Sequence, residues 1–420
     1  MKLTSPHPLL VEHYPPPQRS LRIALVTETY PPEVNGVALT VERLLRGLQA
    51  RHHDIQLVRP RQDRQEGPPN EVGLEQVLTR GLPIPRYPHL RMGLPAKKSL
   101  LSLWTVRRPD LVHIATEGPL GWSALQAARK LKLPVSSDFR TNFHAYSRHY
   151  GLAWLHKPIA AYLRRFHNQA DCTMVPTAPL QAQLLGMGFE RLKVVARGVD
   201  TRRFDPARRD PALRAAWGVG PQDRVVLSVG RLAAEKNLDL LQRSFVQMQA
   251  LDSRLRLVVV GDGPERESLQ QRCPQALLVG SKQGDDLARH YASADLFLFP
   301  SQTETYGNVT PEAMASGLAV LAFDYAAAAE LIRHGHNGLL APMGDEEAFI
   351  RRACDLVSYP ALVEQMRSTA RQTVLLQDWE HIVDQVEGVW QQLLVWQAKR
   401  LSGQLPIQAA FDPSDGRSPA

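Results

Sequence analysis

The sequence predicts an α/β protein made of two doubly wound domains in tandem, each a parallel sheet with crossover helices. Three observations carry this. Apolar runs of strand length alternate with helical stretches along most of the chain. The alternation stops near Gly198 and starts afresh at Val225. Two glycine-containing loops in the second half directly follow apolar runs, where such sheets place their ligands. At 420 residues, two domains of ordinary size are expected.

Leu21–Thr27 reads as a buried strand opening the first domain. Ile55–Val58, Leu111–Ala115, Pro134–Ser137, Cys172–Val175 and Val194–Ala196 read as further strands, with helical stretches such as Val37–Gln49 and Trp122–Lys132 between them. Gly198–Pro206 reads as a linker. The second series begins at Val225 and continues through Leu255–Val260, Ala276–Val279, Asp295–Phe299, Ala319–Phe323 and Gly338–Leu340. Glu380–Arg400 reads as a long final helix. The chain thus divides into a disordered segment 1–20, a Rossmann-like domain 21–198, a second one 199–375, a terminal helix 376–400 and a disordered polar tail 401–420.

Composition narrows the class. The chain is 44% hydrophobic and 22% charged, and no run is long and apolar enough for a transmembrane helix. The Pro-rich start lacks a signal-peptide core. Cys172, Cys273 and Cys354 have neither metal-ligand spacing nor a disulfide framework, which points to a reducing cytoplasm. Charge is uneven: residues 1–200 hold 27 Lys+Arg against 15 Asp+Glu, and residues 201–420 hold 23 against 27. Within 76–172, Arg80, Arg86, Arg91, Lys97, Lys98, Arg107 and Arg108 intersperse with Leu82, Ile84, Tyr87, Leu90, Met92, Leu94, Leu100, Leu101, Leu103 and Trp104. Such a mixture suits an anionic membrane surface, and also a solvated basic face over an ordinary core. No nucleic-acid-binding signature appears, so nucleic acid is not an expected partner.

The chemistry concentrates in the two loops of the second half. Gly230-Arg231-Leu232-Ala233-Ala234-Glu235-Lys236-Asn237 offers two cations, Arg231 and Lys236, suited to a diphosphate. Glu304-Thr305-Tyr306-Gly307-Asn308-Val309-Thr310-Pro311-Glu312 offers two carboxylates and a helix start at Pro311. Glu312 suits ribose hydroxyls and Glu304 the hydroxyls of a sugar. Gly307 allows close backbone approach, and Asn308 and Val309 offer main-chain amides. Together they describe a nucleotide-sugar site. Asn35-Gly36, before the first helix, sets further amides toward the cleft. Gly261-Asp262-Gly263-Pro264 is a weak signal that fits a plain turn, and the dinucleotide fingerprint is missing from both domains, which disfavours an oxidoreductase.

These residues carry a resemblance. Pro31-Pro32-x-x-Asn35-Gly36-Val37, Arg197-Gly198-Val199-Asp200, Gly230-Arg231-x-x-x-Glu235-Lys236-Asn237, Gly261–Pro264 and Glu304 with Glu312 resemble the retaining glycosyltransferases of family 4, from about Leu21 to Trp396. Val112–Gly121 and Ser147–Gly151 are similar to the branch holding GDP-mannose-dependent α-mannosyltransferases and lipid sulfoquinovosyl- and glucosyltransferases.

The resemblance implies a GT-B fold, with acceptor on the first domain, nucleotide sugar on the second, and a last helix that crosses back to complete the first. It implies catalytic roles among Arg231, Lys236, Glu304, Arg140 and His144. Gly36, Gly230, Arg231, Lys236, Glu304, Gly307, Asn308, Val309 and Glu312 are the expected donor contacts; Asn35, Glu117, Asn142 and His144 are the expected acceptor contacts. No metal is expected. The donor is GDP-mannose or a UDP-hexose. The acceptor is a lipid such as diacylglycerol or a glycolipid, reached by an enzyme peripherally bound to the cytoplasmic face of the inner membrane. A soluble or polysaccharide-precursor acceptor, or a non-catalytic nucleotide-sugar-binding protein, are the alternatives.

Two departures stand out. Relatives in this branch carry a His-Thr pair after the fourth strand. Here Arg140 stands at the histidine's place in Asp138-Phe139-Arg140-Thr141-Asn142-Phe143-His144, and His144 lies four residues on. Phe323-Asp324-Tyr325-Ala326-Ala327-Ala328 replaces a Gly-Gly turn near the donor sugar.

Overall fold

A computed structural model describes residues 20–412, apart from positions 34, 64–65, 67–72, 85–86, 141–155, 221, 305 and 407–409. The chain first lays down β1 (Arg22–Val26), β2 (Asp54–Pro60), β3 (Leu74–Thr79), the antiparallel hairpin β4 (Gly81–Ile84) and β5 (Tyr87–Gly93), β6 (Leu111–Ile114), β7 (Val135–Asp138), β8 (Cys172–Val175) and β9 (Leu192–Val194). Apart from the hairpin, these form one parallel sheet in the order β3-β2-β1-β6-β7-β8-β9. A second parallel sheet follows: β10 (Arg224–Val229), β11 (Leu255–Val260), β12 (Leu277–Leu278), β13 (Leu296–Phe299), β14 (Ala319–Phe323) and β15 (Leu339–Ala341), in the order β12-β11-β10-β13-β14-β15. Each order reverses beside its first strand, leaving a crevice between β1 and β6 and another between β10 and β13.

Helices cover both faces, so the strands are apolar throughout: Ile23, Ala24, Leu25 and Val26 are all buried. The first sheet carries α1 (Gly36–Ala50), α2 (Lys97–Val106), α3 (Pro119–Lys130), α4 (His156–His167) and α5 (Ala178–Gly186). In α1, Ala38, Val41, Leu44, Leu45 and Leu48 fall on one face and are buried. The second sheet carries α6 (Pro211–Ala216), α7 (Leu238–Leu251), α8 (Arg266–Arg272), α9 (Gly284–Ala292), α10 (Val309–Ala315), α11 (Ala326–Leu331), α12 (Glu346–Ser358) and α13 (Pro360–Leu375).

The last helix, α14 (Trp379–Leu401), packs in the first sheet's core: Ile382, Val383, Val386, Val389, Trp390 and Leu393 join Leu25, Leu44 and Ile55 there. Trp390 Nε1 donates to Ser136 Oγ at 2.8 Å, and buried Glu387 pairs with His53 at 2.5 Å and with Arg51 at 2.8 Å. The two chain crossings between the sheets lie side by side, with Val199 N–H donating to Gln377 O at 2.9 Å. Gly198 sits against Trp379, where a Cβ would stand 2.6 Å from the indole.

Several expectations need correcting. The mixed basic and apolar stretch is not one surface. Leu100 and Trp104 are buried and Leu101 and Leu103 pack against the same core, because the stretch forms β4, β5 and α2, and α2 lies on α3. Leu82 and Met92 do stay exposed. In the stretch read as a disordered tail, Phe411 is buried against Trp396 with ring centroids 5.8 Å apart, as an aromatic side chain in reach of an apolar surface will be. The helix expected to start at Pro311 starts at Val309, with proline inside its first turn. Among the described residues, no helix is long and apolar enough to cross a membrane.

Candidate active site

The two sheet crevices face each other. A Cβ on Gly36, at the start of α1, would stand 3.8 Å from Asn308 Nδ2, at the start of α10. The loops after β1, β6 and β7 line one wall, and those after β10, β13 and β14 line the other.

On the second wall, Gly230 ends β10 and the chain turns through Asn237, which holds a left-handed φ of 51° that asparagine tolerates. That turn sends Lys236 to Glu304, with which it forms an ion pair beside Ser301 and the Phe299 ring, 5.3 Å from the ring centroid. Ser301 Oγ donates to Glu304 Oε1 at 2.7 Å, and Tyr325 O–H donates to the Glu304 carbonyl at 2.8 Å. The unusual Phe323–Ala328 loop therefore holds the main chain of Glu304. Gly307 holds a φ of 87°, and a Cβ built on it would stand 3.4 Å from the Glu304 side chain. Arg231 does not join this group. It is exposed and pairs with Glu235 on its own loop.

The Gly261–Pro264 turn is structural. A Cβ on Gly261 would fall 1.8 Å from Gly230 O and one on Gly263 would fall 2.3 Å from Leu232 O, so both glycines let this turn press against the Arg231 loop. Leu232 N–H donates to Asp262 O at 2.9 Å, which locks the two together.

Glu312, on α10, is half-buried in the second wall and accepts from Tyr291 O–H at 3.0 Å. Burial pushes its pKa up to about 7, only partly offset by that hydrogen bond.

On the first wall, the Asn35 side chain caps α1, accepting from Val37 N–H at 3.1 Å and Ala38 N–H at 2.8 Å, and donates to Thr29 Oγ1 at 2.7 Å. It orients the Gly36 loop. Glu28 accepts from Gly93 and Leu120 N–H, both at 2.9 Å, and burial raises its pKa against those bonds.

Glu117 lies beside Arg140, accepting from its main-chain N–H at 3.4 Å, and stands 3.4 Å from His167 Nε2. The Arg140 side chain is buried and paired with Asp138. Burial opposes ionisation of Asp138, but Arg140 and His113 outweigh it and hold the carboxyl well below its usual range. Asn142 and His144 lie outside the described residues.

Sequence reasoning missed the roles of Tyr291, Tyr306, Tyr325, Asp138, His113 and Arg197. Tyr306, Tyr325, Asp138, His113 and Arg197 stood inside stretches already singled out; Tyr291 left no signal. Tyr306 O–H donates to Arg197 O at 3.2 Å, joining the Glu304 loop to the linker.

The wall-to-wall arrangement offers cations for a diphosphate, carboxylates for sugar hydroxyls and amides for phosphate oxygens. Residues 34–203 match the family described as Glycosyltransferase Family 4, and residues 223–359 match Glycosyl transferases group 1. The chain is similar to a GDP-mannose-dependent alpha-mannosyltransferase of Mycobacterium tuberculosis (strain CDC 1551 / Oshkosh), 34% identical over 374 residues, 88% of this chain and 96% of the relative. It is also similar to an alpha-monoglucosyldiacylglycerol synthase of Streptococcus pneumoniae (strain ATCC BAA-255 / R6), 25% identical over 72% of this chain and 71% of that one. Among solved structures, sucrose-phosphate synthase from Thermosynechococcus elongatus shares the fold, with a TM-score of 0.71 at 18% identity over 90% of this chain and 100% of that one.

Proposed function

The chain belongs to glycosyltransferase family 4 and has the GT-B fold, and from that premise we propose that this nucleotide-sugar hexosyltransferase is retaining, independent of metal, and directed at a lipid acceptor on the cytoplasmic face of a membrane. The observation that carries the donor assignment is the Lys236–Glu304 pair at the crevice of the second sheet, with Asn308 facing Gly36 across the cleft.

Charge builds on the departing diphosphate during transfer. Lys236, joined by Arg231 as the cleft fills, neutralises it as fixed cations do for other leaving groups, which is the work a metal does elsewhere. Glu312 accepts from the ribose, Glu304 from the transferred hexose, and the amides at Gly36, Asn308 and Val309 take phosphate oxygens. Carboxylates lining the cleft are already engaged: Glu304 with Lys236, Asp138 with Arg140, Glu28 with two amides. None of these three is poised as a nucleophile. The departing phosphate then takes the proton of the incoming hydroxyl on the same face of the sugar, which retains the anomeric configuration. Closure about the paired crossings near Val199 and Gln377 excludes water.

GDP-mannose or a UDP-hexose is the donor. The lipid acceptor, diacylglycerol or a glycolipid, is favoured by the rim of the first wall. Exposed Leu82, Met92 and Tyr162 stand there with exposed Lys97, Lys98, Lys157, Arg164 and Arg165. Glu28 ties β5 to α3, and Tyr162 O–H bonds Glu117 O at 2.5 Å, so these elements surround one mouth.

The test is a thermal-shift panel of GDP-mannose, UDP-glucose, UDP-glucuronate, UDP-galactose, GDP and UDP with EDTA present. Stabilisation by one nucleotide family is expected. No shift with any removes the donor assignment. Lys236→Ala is expected to lower transfer by roughly 100-fold or more with the fold intact. Sedimentation with phosphatidylglycerol vesicles is expected to weaken as salt rises; absent or salt-insensitive binding counts against the lipid acceptor.

A further inference from the structure

Arg197 is a charge in the cleft for which the donor reading has no use. It ends the first domain, immediately before the linker, and its guanidinium lies over the Tyr306 ring, 5.6 Å from the centroid. Among the described residues that guanidinium makes no hydrogen bond or ion pair. The ionisable groups acting on it are Arg140, Asp138, Tyr306 and Glu304. Burial, and then Arg140, push its pKa down to about 10.

The nearby carboxylates have other partners. Asp138 is paired with Arg140 and stands 3.4 Å from His113. Glu304 is paired with Lys236, and Glu117 faces His167 and the main chain of Arg140. Asp138 thus pairs with Arg140, and among the described residues no carboxylate pairs with Arg197. Buried cations are ordinarily paired, because taking a charge out of water is costly without a counter-charge. Arg140, Asp138 and Arg197 line one small cavity of about 40 Å³. It has room for a compact group, not for a sugar ring.

We propose that Arg140 and Arg197 form a subsite for a carboxylate, or a similarly compact anion, carried by one of the two saccharide substrates. This deepens the glycosyltransferase reading and rests on it. Two guanidiniums converge from the β7 end and the linker, and each can present a fork of N–H donors to a planar anion. Arg140, standing where relatives in this branch carry histidine, is here a reader of charge.

Arg197→Gln tests this with the full chain. Removing a half-buried cation that lacks a carboxylate partner leaves the melting midpoint of the ligand-free protein unchanged or higher, whereas a structural arginine would lower it. Two matched pairs then locate the anion. Methyl α-glucuronide against methyl α-glucoside, with saturating GDP or UDP (whichever stabilises the protein, or neither), reports on an acceptor-borne charge. UDP-glucuronate against UDP-glucose reports on a donor-borne charge.

The wild-type protein is expected to prefer the charged member of one pair by about tenfold or more in half-saturating concentration. Arg197→Gln reduces that ratio to about one, and Arg197→Lys keeps part of it. No preference in either pair, a preference that survives Arg197→Gln, or a lowered midpoint in that variant overturns the proposal. Stabilisation by GDP or UDP alone reports separately on the donor site, so its loss would strike the donor assignment and not this subsite.

Discussion

Replacing Glu312 by glutamine removes a charge that the empty protein holds at a cost. The carboxyl has one hydrogen bond from Tyr291, at 3.0 Å, and burial lifts its pKa from the ordinary 4.5 to about 7. Between those two values the folded chain keeps a proton that the unfolded chain has lost, so stability falls as pH rises through the window. At about 1.4 kcal/mol per pH unit the ceiling is ~3.5 kcal/mol, and partial solvent access brings the working figure to roughly 1–2 kcal/mol. Glutamine still accepts from Tyr291 and never ionises. Glu312→Gln is therefore expected to match the wild-type protein near pH 5 and to exceed it by roughly 1–2 kcal/mol at pH 8, or about 2–6 °C in the melt of a domain this size. Thermal melts of both proteins at the two pH values make the measurement. A variant less stable than the wild type at pH 8, or equally stabilised at both, would refute the reasoning.

Three further outcomes follow from the same geometry. If nucleotide binding requires ionised Glu312, affinity for GDP or UDP falls about tenfold from pH 8 to pH 6, and titration calorimetry reads it directly. Asn35→Ala removes the side-chain cap on Val37 and Ala38 N–H, and is expected to cost about 1 kcal/mol in urea midpoint while weakening the donor through the loosened Gly36 loop. Ala326 holds a left-handed φ of 53°, so Ala326→Gly is expected to stabilise the protein by about 1 kcal/mol; a loss of stability would show that the strain is absent.

The strands legible in the sequence were those buried on both faces. Cys172–Val175, Leu255–Val260 and Ala319–Phe323 are largely apolar runs, and their strands have those bounds. β3 was not legible, because an edge strand carries polar residues that hide its period. Glu75 and Gln76 bond back to Gln56 and Arg59 on β2, cross-strand polar pairs that no hydrophobic pattern records. In α2 only Leu100 and Trp104 are buried, too few to separate the helix from its basic surroundings. At the candidate site, the loops containing Lys236, Glu304 and Glu312 could be read from local chain order. What could not be read is which groups meet. Tyr291 reaches Glu312, Tyr325 reaches the Glu304 carbonyl and Arg197 lines one cavity with Arg140, and each arrangement exists only once the strands are laid side by side.

A displaced pKa does not by itself mark a ligand group here. Glu28, Glu312 and Arg197 are all pushed toward their neutral forms by burial. Their partners distinguish them. Glu28 accepts from the Gly93 and Leu120 amides, and a Cβ on Gly118 would stand 2.1 Å from one of its oxygens, so protein fills the space around it. Its task is to hold β5 against α3. Glu312 has one hydroxyl partner, and the Arg197 guanidinium has an aromatic face with no hydrogen bond among the described residues. Ionising a half-buried group with so few partners is costly, and a ligand that supplies the missing partner offsets that cost. In the proposed assignments the complement of the carboxylate is a pair of hydroxyls, and that of the guanidinium is an anion. In those assignments one serves the nucleotide and the other a charged saccharide. The substrate would then contribute to the stability of the closed site as well as to its reaction.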